Sequence, residues 1–188
     1  MISGSARGIK LLTMDGLQTR PTTDRVKESI FNMLQTYIFD SRCLDLFSGS
    51  GALGIEMLSR GARQCVFVDS NLEAIRCIRE NLKKTKLDHQ AETVCKNATQ
   101  FVETYDGEAF DFVFLDPPYF QNLILKNVLE LERRNLITND TFIVVEYGTG
   151  DPEIDALKEY FKVYREKTYG KISVIILRRQ DENSSISR

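Results

Sequence analysis

The chain has a single histidine, His89, in a polar stretch, which leaves almost no room for a histidine-based catalytic triad. Its four cysteines, Cys43, Cys65, Cys77 and Cys95, include no C-x-x-C pair. Reduced thiols packed in the core are therefore expected, rather than a metal site or disulfides. No apolar run approaches the ~18 residues of a membrane span, and no basic-then-apolar leader opens the chain. A cytoplasmic protein with no membrane association is expected. Excess charge of one sign is also missing. The formal net charge is −2, which argues against sequence-independent nucleic-acid binding over the whole surface. The charge is uneven, however. Residues 1–27 hold Arg7, Lys10, Arg20, Arg25 and Lys27 against Asp15 and Asp24, so that end carries a local basic face or a merely solvated one. There is no internal repeat, low-complexity linker or second core.

What is present suits one ordinary domain: 188 residues, 42% hydrophobic and 28% charged. An Asp15-Gly16 pair between short apolar runs predicts a β-hairpin appendage over 1–20, ahead of a main domain at 21–179 and a frayed polar tail at 180–188. Thr22 or Thr23 can cap a helix whose buried face is Val26, Ile30, Met33, Leu34, Tyr37 and Ile38. Strands are then expected at 43–47, 65–68, 91–95, 110–115 and 141–146. They alternate with helices at 52–60, 72–84, 98–105, 123–134 and 154–160. Two closing strands, 161–167 and 172–178, lie too close for a crossover helix and should form a hairpin. The fold class is α/β: a doubly wound, mostly parallel seven-stranded sheet with one antiparallel strand.

Two motifs fall at strand ends. The apolar run 110–115 stops at Asp116-Pro117-Pro118-Tyr119. Consecutive prolines donate no N–H and hold φ near −65°, so a carboxylate, a rigid turn with free carbonyls and an aromatic ring are displayed together. In an open α/β sheet that end is where ligands bind. The second motif, Leu44-Asp45-Leu46-Phe47-Ser48-Gly49-Ser50-Gly51-Ala52-Leu53-Gly54, runs strand, glycine loop, helix. It fits G-x-G-x-x-G, which serves either a nicotinamide dinucleotide or S-adenosyl-L-methionine. Asp45, four residues before the first glycine, would repel a pyrophosphate and suit the ammonium of a methionyl group. Asp69, ending the next strand, can hold ribose hydroxyls in both readings. Asp-Pro-Pro-Tyr serves transfer to an amino nitrogen and has no use in hydride transfer.

Leu44–Gly54 with Leu115–Tyr119 resembles a class I S-adenosylmethionine-dependent methyltransferase of the amino-methylating type. The stretch Arg20-Pro-Thr-Thr-Asp-Arg-Val-Lys-Glu-Ser-Ile-Phe-Asn, the Ile2-Ser-Gly-Ser start and Tyr169-Gly-Lys171 are more specific. Together they resemble the bacterial small-subunit (16S) ribosomal RNA guanine-N2 methyltransferase family, over residues 2–179. That resemblance implies S-adenosyl-L-methionine as cofactor, with Asp45, Gly49 and Gly51 at its methionyl part, Ser50 of the same loop also binding it, Asp69 at the ribose, and Asn97 and Ala98 flanking the adenine. It implies Asp116, Pro117, Pro118 and Tyr119 as the catalytic set, and 16S rRNA as partner, naked or within a small-subunit particle. Arg7, Arg20, Arg25 and Lys171 are candidate phosphate contacts, no metal is implied, and a monomer is the default. Two departures stand out. Asn97 occupies a position where relatives often have Asp, and Tyr147 one where they usually have His. An adenine- or cytosine-amino methyltransferase acting on DNA or another RNA shares both motifs and is the alternative. A nicotinamide-dependent oxidoreductase and a non-catalytic RNA-binding module are the further rivals.

Overall fold

A computed structural model describes residues 1–13 and 22–180, with the side chains of these apart from residues 22–25. In chain order the elements are α1 (Thr22–Leu34), β1 (Arg42–Asp45), α2 (Ala52–Ser59), β2 (Gln64–Asp69), α3 (Leu72–Thr85), β3 (Ala91–Cys95), α4 (Ala98–Thr104), β4 (Phe110–Leu115), α5 (Ile124–Arg133), β5 (Ile137–Gly148), α6 (Glu153–Tyr160), β6 (Phe161–Tyr169) and β7 (Ile172–Arg179). The strands form one sheet in the order β3-β2-β1-β4-β5-β7-β6. β1 to β5 pair in parallel, whereas β7 lies antiparallel between β5 and β6. The single reversed strand follows from the tight turn at Tyr169-Gly170-Lys171, where Gly170 takes φ +70°. No helix of the described residues is long and apolar enough to cross a membrane.

Both faces of the sheet are covered, so the central strands read as apolar runs rather than alternating ones. On one face Phe67, Phe112, Phe114, Phe142, Val174 and Ile176 pack beneath Val26, Ile30, Phe31 and Leu34 of α1 and beneath α2 and α3. On the other, Leu44, Val66, Val113, Val145 and Ile175 pack beneath α4, α5 and α6 through Phe101, Val128, Leu131 and Leu157. β4 serves both cores: Phe112 and Phe114 enter the first, Val113 and Leu115 the second.

The N-terminal hairpin is not confirmed, and two other expectations are corrected. Residues 1–13 are bends, turns and coil with no assigned strand, and the Asp15-Gly16 pair lies outside the described residues. Their backbone finds its partners on helices instead. Ile2 and Ser3 N–H donate to the Glu56 carboxylate (2.9 and 3.0 Å), Ala6 N–H to Ser59 Oγ (3.0 Å), and Leu12 N–H to Asn81 Oδ1 (2.7 Å). β5 begins at Ile137 rather than 141, because Ile137 already pairs with Phe110 before a bulge. Of the thiols, Cys43 and Cys65 are buried, Cys77 is half-buried and Cys95 is exposed, since β3 is an edge strand.

Candidate active site

The site is built at the carboxyl rim, between β1 and β4. From β1 the chain proceeds to β2 on one side, while β4 lies on the other, so the strand order reverses here and leaves a crevice. The two sequence motifs leave these adjacent strands side by side: Leu46 N–H, just past β1, donates to Phe114 O on β4 (3.0 Å).

The glycine loop is held from below. Ser48 is buried; its hydroxyl donates to Asp45 O (2.6 Å) and accepts from Val68 N–H (2.9 Å), tying the loop to β2. Gly49 and Gly51 take left-handed conformations (φ +53° and +79°), which side-chain-bearing residues rarely adopt. A Cβ on Gly49 would meet no atom within 4 Å, so the loop there borders open space. Gly54 has the opposite role. A Cβ there would lie 2.3 Å from the Phe67 ring and 2.6 Å from Cys65 Sγ, so this glycine seats α2 on β2.

Two carboxylates flank this loop. Asp69, ending β2, accepts from Gly49 N–H (2.9 Å) and Asn71 N–H (2.8 Å). Asp45 is 2% exposed, and its Oδ2 accepts from Gly54 N–H (3.0 Å). Burial pushes the Asp45 carboxyl up to about 7; the Gly54 hydrogen bond opposes this and the charge of Asp69 adds to it. Asp45 therefore lies under the loop rather than along its open side. Ser50, in the same loop, is fixed through its carbonyl, which accepts from Asn81 Nδ2 (2.9 Å). Asn97, past β3, caps α4 by accepting from Thr99 N–H (3.0 Å) and Gln100 N–H (3.3 Å), with Ala98 buried behind it. An aspartate would cap in the same way, which explains why the amide is tolerated.

At the end of β4, Asp116 and Pro118 are exposed while Pro117 is buried. The following loop is fixed by long-range partners. Tyr119 OH donates to Glu146 Oε1 (2.9 Å), and Phe120 N–H to Asp151 Oδ2 (3.3 Å). Ile124 and Leu125 N–H, opening α5, donate to the Glu153 carboxylate (3.3 and 2.9 Å). Gly148 lies under the loop; a Cβ there would fall 2.7 Å from the Phe120 ring and 3.3 Å from Tyr119 Cβ. Ser48, Asn81, Glu146, Gly148, Asp151 and Glu153 escape sequence reading. Only Ser48, inside the glycine motif, carries a local signal.

The basic candidates separate. Lys171 lies in the β6–β7 turn on this same rim, and its carbonyl accepts from Thr149 N–H (3.0 Å). Arg7 follows Ala6, which is bonded to Ser59 at the end of α2. As α2 descends from the glycine loop, this puts Arg7 toward the opposite rim, away from the crevice. Arg20 lies outside the described residues, and Arg25 is placed only as part of α1. Tyr147 is buried, and its hydroxyl donates to Glu166 Oε1 (2.7 Å). Burial, then Glu166, pushes that hydroxyl above the ordinary tyrosine range, so it is no base for the crevice. A polar hollow lined by Arg63, Gln64, His89, Gln90 and Glu108 opens at the amino rim and takes no part in this site.

This strand order, with a glycine loop after β1 and an acid after β2, defines a class I methyltransferase fold. A family model described as "Conserved hypothetical protein 95" matches residues 1–178, and the chain belongs to that family. It is 37% identical over 175 residues to "Ribosomal RNA small subunit methyltransferase D" of Haemophilus influenzae, covering 92% of this chain and 90% of that one. It is 34% identical over 187 residues to the Escherichia coli protein of the same name, covering 98% and 92%. A solved Escherichia coli structure, yhhF, provisionally named a methyltransferase, superposes with a TM-score of 0.83 at 33% identity, covering 97% and 98%. The protein is thus an enzyme of the methyltransferase class.

Proposed function

We propose that this enzyme transfers a methyl group from S-adenosyl-L-methionine to the exocyclic 2-amino group of a guanine in 16S ribosomal RNA. The observation that carries this reading is the placement of Asp116-Pro117-Pro118-Tyr119 beside the glycine loop on adjacent strands of one rim. The rRNA substrate is suggested by the relatives named small-subunit rRNA methyltransferase D.

The residues fit the donor. Open space borders Gly49, whose N–H donates to the Asp69 carboxylate, and Asp45 lies close enough to Asp69 to feel its charge. A pyrophosphate would add like charge beside two carboxylates, whereas a cationic ligand relieves their repulsion. When bound, S-adenosyl-L-methionine supplies a methyl group already activated by a sulfonium. Gly49, Ser50 and Gly51 would hold its methionyl part over Asp45, Asp69 its ribose, and Asn97 with Ala98 its adenine.

The residues of Asp116-Pro117-Pro118-Tyr119 then act on the base. The lone pair of guanine's amino nitrogen is delocalised into the ring, so the nitrogen is planar and weakly nucleophilic. Asp116 and the Pro117 carbonyl each accept one amino hydrogen, turning that nitrogen toward tetrahedral geometry. The Asp116 carboxylate would also stabilise the positive charge that develops there until one of the amino protons is lost to solvent, giving the neutral methylamino product. Tyr119, held at its hydroxyl by Glu146, offers a ring on which the base stacks, worth roughly 1–3 kcal/mol. The base must be unpaired or flipped out to enter. Lys171, exposed in the turn at this rim, would meet a phosphate. Alignment of the reacting atoms contributes more than base strength.

The test is methyl incorporation from labelled S-adenosyl-L-methionine into small-subunit particles and rRNA from a strain lacking the protein, followed by nucleoside analysis. Label in N2-methylguanosine is expected. Label in adenosine or cytidine would overturn the guanine assignment, and no incorporation into either substrate would overturn the reading as a whole.

A further inference from the structure

We infer that the edge strand β6 is a backbone track for RNA, leading to the rim that holds Asp116. The inference rests on the RNA-methylating reading and extends it to a surface remote from the crevice. The pairing register decides which residues share a face, because residues opposite one another in an antiparallel ladder project to the same side. Lys162 lies opposite Arg178, Arg165 opposite Ile176, Lys167 opposite Val174 and Tyr169 opposite Ile172. Val174 and Ile176 belong to the core beneath α1, and Arg178 lies over Phe142 of that core (4.9 Å). Tyr164, in the bulge between Val163 and Arg165, meets Phe142 edge-on (5.3 Å), so it shares this face. One side of β6 therefore presents Lys162, Tyr164, Arg165, Lys167 and Tyr169, with no carboxylate among them.

Glu166 is on the reverse side. It lies opposite Ile175 of the other core and accepts from Tyr147 and Lys158 (2.7 and 3.0 Å). The cations on the α1 side differ from their neighbours in pairing. Arg178 is held by Asp140 (2.8 Å) and Arg179 by Glu132 (3.0 Å). Among the described residues, by contrast, Lys162, Arg165, Lys167 and Lys171 enter no ion pair. Lys167 instead stands over the Tyr169 ring (5.2 Å).

Protection of a sheet edge gives cations a different reason to be here. That reason does not require them on one face, and the bulge already disrupts pairing at this edge. Cations interleaved with aromatic rings suit a polyanion whose bases can stack. The strand ends at the Gly170-Lys171 turn, whose Lys171 carbonyl holds Thr149 N–H, next to the Gly148 on which Tyr119 and Phe120 rest. A nucleic-acid strand lying along β6 is thereby delivered to the catalytic loop.

The test is the triple variant Lys162→Ala, Arg165→Ala, Lys167→Ala, with Lys162→Arg, Arg165→Lys, Lys167→Arg as its charge-conserving control. Binding to a small-subunit rRNA transcript and to assembled particles is titrated across salt concentrations, without relying on turnover. The alanine variant is expected to bind the transcript at least about tenfold more weakly. Its log–log salt slope should fall by about 2, roughly 0.7 for each single-strand phosphate that is no longer neutralised. The charge-conserving variant should restore both, and affinity for S-adenosylhomocysteine should be unchanged in all three proteins. Unchanged transcript affinity and slope would overturn the track. So would a loss confined to assembled particles, which would instead make this face a docking surface for a ribosomal protein. Wild-type protein that binds RNA with this salt dependence yet transfers no methyl group would sink the catalytic reading alone. Wild-type and alanine proteins equal in both binding and methyl transfer would sink the track alone.

Discussion

Asp116 and Asp45 are carboxylates at the ends of neighbouring strands, and their surroundings give them different work. Asp116 is exposed at the rim, where an amino group can reach it. Asp116→Ala should lower turnover by roughly 10²–10³-fold, the scale of removing one group that stabilises transition-state charge. Calorimetry should show unchanged affinity for S-adenosylhomocysteine; a loss of that affinity would reassign the residue. Asp45 is buried, with its carboxyl pushed up to about 7 by that burial, so it is partly protonated near neutrality. The ammonium of the ligand's amino-acid part, held over Asp45, favours the ionised form and lowers the pKa in the complex. Affinity for S-adenosylhomocysteine should thus rise as pH rises through about 7 and then level off, with release of a proton on binding. Asp45→Asn should flatten that profile, and a wild-type profile already flat from pH 6 to 8 would dismiss the role. The strand-end positions of both residues were legible from the proline and glycine motifs beside them. That Asp45 sits beneath the loop, and that Tyr147 faces Glu166 rather than the crevice, depended on strand register and was not.

Among the elements, the loop after β4 shows where local reading stops. Its prolines are visible in the sequence, but its shape is set by Glu146, Gly148, Asp151 and Glu153, all from later in the chain. Gly148→Val would drive the Tyr119–Phe120 segment off β5. Because Phe120 is 60% exposed it can move, so stability should change little. Turnover should fall by about 10–100-fold through misplacement of the catalytic loop, with cofactor affinity retained. Equal turnover in wild type and variant would show that the loop is not positioned from below. Gly54→Ala has the opposite signature. Its Cβ would press on Phe67 and Cys65, both fully buried, and should cost about 1–3 kcal/mol of stability in a denaturant titration. The helix–strand alternation was legible because its hydrophobic periods are local. The hairpin expected over 1–20 was not supported, because what residues 1–13 pair with is chosen by α2 and α3.

Across the whole molecule, the N-terminal segment crosses a helical layer and closes the domain. Glu56 is buried, pairs with Arg60 (2.7 Å), and accepts from Ile2 and Ser3 N–H. Glu56→Ala would leave a buried guanidinium and two amides without this partner. A loss of about 3 kcal/mol is expected from chemical denaturation. A change within about 0.5 kcal/mol, the scale of an ordinary surface substitution, would mean that the segment is not anchored there.

The α/β alternation, the single reversed strand and the two strand-end motifs could all be read from the order of the amino acids. Each follows from short-range rules: hydrophobic period, proline and glycine geometry, and the length of a turn. That β1 and β4 are neighbours at the reversal of strand order, which brings the two motifs to one crevice, emerged only when the sheet was assembled. The side of β6 that carries its cations was settled in the same way. A strand's faces are assigned by its pairing register, and pairing partners are selected by burial of the whole sheet rather than by nearby residues.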